Sequence, residues 1–276
     1  MSKASRTQLL VLTGAIVLTA VLYFAPQKSK QKESGPVGRE SNEMFSFESL
    51  LASAKSSFKR QELEQVTKLE NELSKNQSNL PLLDSLGKQW DKLQQPLISS
   101  HYFEMIAMQQ PAEKNWLNAA YRFFDAAGML ADSGLRAMMM NKAIVCYNNV
   151  LTINPDNLDA KTDLGICYAE GKEPMKGIML LRDVVAKNPN HENAQFNLGV
   201  LSVKSAQYEK AIERFKKVLE INPARKEIYF MIGKAYLMAG NKEKALETLN
   251  KLKKETANVQ LLEQTNSLIS QININQ

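Results

Sequence analysis

A repeat of 34 residues constrains the fold of this chain more than any other feature of its sequence. Three Leu-Gly or Ile-Gly pairs recur at that interval, and three Asn-Pro pairs recur with the same step. The pairs begin at Leu164, Leu198 and Ile232, and at Asn154, Asn188 and Asn222 (198 − 164 = 34; 232 − 198 = 34). Apolar residues three and four positions apart predict helices with one buried face, and Asn-Pro favours a turn after each helix. The period therefore predicts a stack of helical hairpins.

Three further columns of the repeat hold small or large apolar residues. They are Gly177, Ala211 and Ala245; Leu181, Phe215 and Leu249; and Val184, Val218 and Leu252. With these columns the stretch resembles the tetratricopeptide repeat (TPR), a family whose fold is a right-handed superhelix of antiparallel helix pairs. Tyr168 and Tyr236 match the aromatic column of that family, whereas Ser202 departs from it. We expect Gly199 to face Ala211 across a tightly packed pair. The resemblance implies a fold and not a function, since such solenoids are mostly binding scaffolds.

The pattern continues toward the N-terminus in two less regular units. In the first, Leu86-Gly87, Phe103 and Pro111 keep the mutual offsets of the later repeats. The next unit extends from Pro111 to Pro155 and is ten residues longer than the period (155 − 111 = 44; 44 − 34 = 10). We expect the additional residues in its first helix or the turn that follows, around 123–140.

The predicted fold class is all-α: a TPR helical-hairpin solenoid of about five units plus a capping helix, behind a single N-terminal transmembrane helix. Apolar spacing from Phe45 to Lys75 predicts a helical stretch that packs on the neighbouring repeat. The predicted divisions are an anchor (1–25), a flexible linker (26–42), a helical N-terminal segment (43–79), a degenerate TPR (80–113), an extended TPR-like unit (114–156), three TPR units (157–256), and a capping helix and tail (257–276).

The N-terminus contains an uncharged apolar run from Leu9 to Ala25, preceded by Lys3 and Arg6. Its 17 residues match the lower end of the roughly 17–25 that a membrane-spanning helix needs. A signal peptide that is removed is the alternative, but neither Ala20 nor Ala25 completes a small-x-small cleavage site. We therefore expect an uncleaved anchor.

The positive charges around this run do not decide its orientation. Lys3 and Arg6 precede it, and lysines at positions 28, 30 and 32 follow it. A short N-terminal tail, one apolar segment and a long folded region is the usual layout of an exported protein. We expect a single-pass protein of the inner (cytoplasmic) membrane with the TPR domain on the periplasmic side.

The sequence contains no pattern typical of a catalytic, cofactor or metal site, and we expect no enzymatic activity, no cofactor and no metal. His101 and His191 lack ligands at metal-binding spacing and are interpreted as structural histidines. Cys146 and Cys167 are expected as buried thiols, with a disulfide as the alternative. The net charge of +6 selects no partner.

The candidate binding groove lies on the first helix of each pair, which lines the concave face in the TPR family. The columns one turn before and just after each Leu-Gly pair are mainly apolar, which disfavours the carboxylate clamp that some members use. The predicted groove residues are Thr162, Ile166, Phe196, Val200, Val203, Phe230, Lys234 and Leu237. Such a groove suits an extended or helical protein segment. The alternative is that Phe196 and Phe230 fill gaps between helices.

The layout favours a membrane-anchored TPR scaffold that mediates protein–protein interaction at a membrane complex. It is similar to accessory or chaperone-like subunits of protein export at the Sec translocon, and an assembly factor for cytochromes or other envelope complexes is an alternative. The expected partner is a protein or an unfolded client segment, with no small-molecule substrate. A nucleic-acid-binding repeat is disfavoured because the groove columns are apolar and not basic. An enzyme within residues 26–79 is disfavoured because that segment has no catalytic cluster.

Overall fold

The computed structural model describes residues 46–274, which form thirteen α-helices and no β-strand. The helices are α1 Phe47–Ser56, α2 Glu64–Leu73, α3 Leu80–Lys92, α4 Pro96–Gln109, α5 Glu113–Met129, α6 Ser133–Ile153, α7 Leu158–Glu170, α8 Pro174–Lys187, α9 Glu192–Lys204, α10 Tyr208–Ile221, α11 Glu227–Met238, α12 Lys242–Glu255 and α13 Val259–Ile274.

Helices α3 to α12 form five consecutive hairpins. The two helices of each hairpin are joined by a turn of three residues and pack against each other. The second helix of each hairpin also packs against the helix that follows it, from α4 on α5 to α12 on the last helix, α13. The predicted all-α helical-hairpin solenoid is therefore confirmed for the described part of the chain.

Several helices begin at a residue whose side chain accepts a hydrogen bond from a free N–H group of the first turn. Asn79, Asp132, Asn157 and Asn241 each accept a hydrogen bond from the backbone N–H three residues later, at 2.7–3.1 Å. Such caps satisfy donors that a helix leaves without an internal partner. The middle residue of the three-residue turn before three of the second helices takes positive φ: Gln94 at 55°, Ala206 at 56° and Gly240 at 80°. The first two hold a left-handed conformation that glycine adopts without strain.

Two of the three Asn-Pro pairs close units as well as ending helices. Asn154 Nδ2 donates to the carboxylate of Glu113, the first residue of α5, at 3.0 Å. Asn222 Nδ2 donates in the same way to Glu192, the first residue of α9, at 3.1 Å. Each asparagine Oδ1 also accepts the N–H two residues later. The end of a hairpin is therefore bonded to its own beginning.

The glycine of the Leu-Gly pair lies against the large apolar residue of the second helix. A Cβ added to Gly199 would lie 2.6 Å from the Phe215 ring, and a Cβ at Gly87 would lie 2.5 Å from the Phe103 ring. Gly199 therefore lies beneath Phe215, one turn beyond the Ala211 that we expected it to face. The glycine makes room for the large residue of the second helix. In the preceding unit the equivalent columns do meet, because a Cβ added to Gly177 would collide with the Gly165 carbonyl oxygen.

The extended unit distributes its additional residues over both helices. Helix α5 has 17 residues and α6 has 21, compared with 13 and 14 for α7 and α8. The turn keeps three residues, 130–132. The expectation that the first helix or the turn would take up the insertion is corrected, since the second helix lengthens most.

The N-terminal stretch forms two short helices instead of one continuous pattern. Residues 57–63 separate α1 from α2, and the Lys55–Glu70 ion pair at 2.6 Å joins the two helices. The Phe47 ring of α1 stacks on His101 of α4 with 3.6 Å between ring centroids. Helix α2 packs against α3. Both helices therefore lie on the first hairpin.

The predicted anchor, Leu9 to Ala25, and the predicted linker lie outside the described residues. Between residues 46 and 274, no helix combines the length and apolar character that crossing a bilayer requires. At the other end of the chain, α13 contributes Ile272 to a cluster with Ala245 and Leu249 of α12. This last helix covers the final hairpin.

Candidate functional site

The apolar columns of α7, α9 and α11 form a partly accessible strip. We use the name first-helix strip for Ile166, Phe196, Val200, Val203, Phe230, Lys234 and Leu237. Lys234 is exposed, and the six apolar side chains are half-buried. Helices α7 and α9 are in direct contact, as expected for first helices that lie side by side. The strip therefore combines packing between hairpins with apolar surface that remains accessible.

Thr162 does not belong to this surface. Its side chain is 1% exposed, and its hydroxyl donates to the carbonyl oxygen of Leu158 at 2.8 Å. The hydroxyl is satisfied inside its own helix, which allows a polar residue to be buried there. Its inclusion among the groove residues was wrong.

Phe196 lies between its own hairpin and the next one. Its ring centroid is 6.0 Å from that of Phe215, and the Arg225 guanidinium carbon is 4.8 Å from the Phe196 centroid. Arg225 is held in place by Glu192 at 3.0 Å and Glu227 at 2.8 Å. Such a cation over an aromatic face stabilises the ring's position. A ligand at Phe196 would therefore meet an oriented ring beside a fixed positive charge.

Phe230 has a different neighbourhood one period later. It packs, together with Leu237, against the cluster that contains Ile272 of α13. The Lys234 Nζ lies 5.9 Å from the Phe230 centroid. The two phenylalanines therefore pack against separate core clusters.

Two accessible side chains lie near the strip, and the sequence prediction missed the first of them. Tyr121 of α5 is 41% exposed and occupies the column of Ile166 and Val200 when Ala119-Ala120 is aligned with Leu-Gly. Met238, directly after Leu237, is 49% exposed. The repeat register would have indicated Tyr121, because it directly follows the alanine pair that replaces Leu-Gly in this unit.

A buried polar cluster lies next to Tyr121, where α6 meets α7. The Tyr121 and Tyr147 rings pack edge to face at 6.1 Å, and the Tyr147 hydroxyl donates to Asp163 Oδ2 at 3.3 Å. Burial raises the pKa of Asp163 to about 6, although the hydrogen bond from Tyr147 opposes that rise. This carboxyl group is therefore sensitive to pH in the weakly acidic range.

The two histidines have structural positions. His191 caps α9 by accepting the Ala194 N–H at 3.4 Å, and its Nε2 lies 3.1 Å from Asp159. His101 stacks on Phe47, and burial lowers its pKa.

Cys146 and Cys167 are both buried and free, as expected of thiols that fill the core. Burial raises the pKa of both thiols, which keeps them protonated. Within residues 46–274, no group of three or more His, Cys, Asp or Glu side chains is arranged to hold a metal ion.

Comparison with known proteins agrees with the hairpin geometry. Residues 202–264 match the family model described as tetratricopeptide repeat. The fold is a TPR solenoid. No match was found among curated proteins.

Several solved structures share the TPR fold. A TPR protein from Parabacteroides merdae ATCC 43184 is 16% identical with a TM-score of 0.57, and the match covers 86% of this chain and 85% of that one. MamA from Desulfovibrio magneticus RS-1, from residue 41 to its end, is 17% identical with a TM-score of 0.52 over 63% of this chain and 93% of that one. Another MamA structure is 19% identical with a TM-score of 0.51, covering 63% and 90%. These likenesses establish the fold of the TPR region.

Proposed function

We propose that the protein is a membrane-anchored TPR scaffold that binds a protein partner or an unfolded client segment along the first-helix strip. The observation that carries the proposal is the row of half-buried apolar side chains on α7, α9 and α11. Partly exposed aromatic and aliphatic residues are the usual anchors of protein interfaces. The ligand would lie across several hairpins, because the strip runs from one first helix to the next.

The chemistry of the strip favours a protein segment over other ligands. Its members are Phe, Val, Ile and Leu with a single lysine, so most of its accessible surface cannot hydrogen-bond to a sugar or a phosphate. An amphipathic helix or an extended segment with spaced apolar side chains would bury this surface, and such burial drives association.

The apolar run from Leu9 to Ala25 supports the second part of the proposal. A span of this length would hold the solenoid at the inner membrane, with the TPR domain in the periplasm. The role that fits this arrangement is an accessory or chaperone-like, non-enzymatic subunit of protein export.

Site-specific photo-crosslinking in cells tests the strip. A photoreactive amino acid at Val200 of the full-length protein is expected to give a discrete adduct with one partner protein. The same amino acid at Met179, which is 67% exposed on α8 and lies off the strip, is the matched control. Phe196→Ala combined with Phe230→Ala should abolish the adduct at Val200. Equal adducts at Val200 and Met179, or an adduct that persists in the double variant, would show that the strip does not bind the partner.

Extraction of membranes tests the anchor separately. The full-length protein should remain with membranes after alkaline carbonate washing, and protease added to spheroplasts should digest its TPR domain. Release by carbonate contradicts the anchor, and protection in intact spheroplasts contradicts the orientation.

A further inference from the structure

A second cleft lies between α10, α11 and α12, on a different face of α11 from the first-helix strip. Its volume is about 600 Å³, within the range of about 300–1,000 Å³ that is typical of ligand sites. Tyr229 and Tyr236 of α11 are seven residues apart and therefore share one face of that helix. Each is half-buried, so the two rings form the floor of the cleft.

Lysines surround both rings. Lys216 Nζ of α10 and Lys244 Nζ of α12 lie 5.7 and 5.8 Å from the Tyr236 centroid, and so approach it from opposite walls. Lys251 Nζ of α12 lies 4.9 Å from the Tyr229 centroid. A hydrogen bond with the Tyr229 hydroxyl raises the pKa of Lys251, which keeps that lysine charged.

The positive charge of the cleft is only partly neutralised. Lys216 and Lys244 form no ion pair within the described residues. Lys251 lies 3.8 Å from Glu255, which also binds Lys226 at 2.8 Å. Two cations on facing walls therefore remain available to an anionic group that enters between them.

The equivalent cleft one period earlier keeps cations at the two wall columns, Arg182 and Lys210, but lacks the tyrosine floor. Ser202 and Gln195 stand where the later cleft has Tyr236 and Tyr229. The Gln195 amide is tied at both ends, with Nε2 donating to Pro189 O and Oε1 accepting from Arg214, each at 2.7 Å. The floor of that cleft is therefore formed by small or polar side chains, and one of the cations that line it, Arg214, is already hydrogen-bonded to Gln195.

At the equivalent site two periods earlier, an acidic residue neutralises part of the positive charge. Tyr168 and Lys176 keep the aromatic–cation pair, with 3.8 Å between Nζ and the ring centroid. Lys161 and Asp183 replace Tyr229 and Lys251, and they form an ion pair at 2.8 Å. Among the three 34-residue units, the last one alone combines two accessible tyrosines with lysines on both walls.

We propose that this cleft is a second binding site, which takes an acidic peptide segment of a partner protein. A carboxylate would lie between Lys216 and Lys244, and the adjacent side chains of the peptide would pack on Tyr229 and Tyr236. Glu220 and Glu247 line the same cleft and would accept hydrogen bonds from peptide N–H groups. The accessible tyrosine rings, and lysines that alternate with Glu220 and Glu247, fit a peptide with both apolar and acidic side chains better than an uninterrupted row of phosphates.

Fluorescence anisotropy with the full-length protein in mild detergent and low salt tests this site. The probe is a fluorescein-labelled peptide GEELEEG, and its uncharged counterpart is GQQLQQG. The acidic peptide should bind and the uncharged one should not. Lys216→Glu combined with Lys244→Glu should weaken binding by about tenfold or more, since two favourable charge pairs become repulsive. Tyr236→Phe keeps the ring and tests the hydroxyl, with an expected loss of about threefold.

The matched control is Arg182→Glu combined with Lys210→Glu, which makes the same charge change at the same two columns one period earlier. Binding by this variant should stay within about twofold of that by the unmodified protein, because its cleft has no tyrosine floor. Equal losses in both double variants would mean general charge attraction and would overturn the site. Absence of binding by GEELEEG would overturn the site as well. So would a 20-nucleotide oligothymidylate that binds more tightly than the peptide and loses its binding in the Lys216→Glu, Lys244→Glu variant. These measurements do not involve the first-helix strip, so the two sites can fail independently.

Discussion

The two halves of the TPR region bury their apolar side chains in different ways. From Val66 to Tyr168 the buried residues form one continuous cluster that includes the fully buried Trp90, Phe123 and Tyr147. The later hairpins bury theirs in three separate clusters. We infer that the longer helices of the extended unit connect the cores of the units on either side of it, whereas each regular unit contacts mainly the next unit. Stability in the second half should therefore be more local.

Phe123→Ala tests the continuous core and should have the largest effect. Phe123 is 1% exposed within the large cluster, and removal of a buried phenylalanine ring costs about 3–5 kcal/mol. Hydrogen exchange should lose protection across α3 to α7 together. The comparison is Leu249→Ala in the last cluster, which should lose protection mainly in α11 to α13. Loss confined to α5 in the first variant would show that the N-terminal half is not one cooperative unit.

Gly199→Leu tests packing within a regular hairpin. The added side chain would collide with the Phe215 ring, and overpacking of this kind costs about 1–3 kcal/mol. Thermal unfolding followed by circular dichroism measures the loss. Gly128→Ala is the control, because a Cβ there meets no atom within 4 Å. An unchanged midpoint for Gly199→Leu would contradict the register of the second half.

Asp163 lies at the junction of the two halves and should make their stability depend on pH. Its folded pKa of about 6 exceeds the unfolded value of 3.8, so the folded state binds the proton more tightly. Stability is then greatest below about pH 4 and falls as the pH rises through 6. Asp163→Asn should remove this slope and add about 1–2 kcal/mol at pH 7.

Urea unfolding between pH 4 and 7 measures the slope. Tyr147→Phe provides the second variant, since it removes the hydrogen bond that lowers the Asp163 pKa and should move the transition to higher pH. A slope that persists in Asp163→Asn would assign it to another group.

Ala206→Gly should have the smallest effect and should be confined to the second half. Ala206 has a φ of 56°, where Gly240 stands one period later with a φ of 80°. Relief of the left-handed strain, offset by the greater unfolded-state freedom of glycine, should stabilise the protein by about 0.5–1 kcal/mol. The thermal midpoint should rise slightly, and a fall would indicate that the Ala206 methyl group makes contacts that outweigh the strain.

The sequence predicted the hairpins because helical periodicity and Asn-Pro turns are local signals. It did not predict that Gly199 lies beneath Phe215, since spacing identifies the face of a helix but not the residue opposite it. Thr162 was misplaced because its column predicts exposure, whereas a hydroxyl bonded within its own helix allows burial. Tyr121 was missed because Ala119-Ala120 obscured the motif. The cleft at Tyr229 and Tyr236 was missed because its lysines come from two other helices.

The closures between hairpin ends have a mechanical consequence. The units that begin at Glu113 and Glu192 are fastened by asparagine amides, and the last is fastened by the Lys226–Glu255 pair at 2.8 Å. The unit between them is fastened by Lys187 and Asp156, 3.7 Å apart, and by His191 Nε2 and Asp159, 3.1 Å apart, and both aspartates are largely exposed. Under a pulling force along the chain, we expect that unit to yield first among these four, because exposed ion pairs contribute little to stability. The other three units would stay folded. The solenoid would then lengthen by the one unfolded hairpin, while the units on either side of it keep their structure.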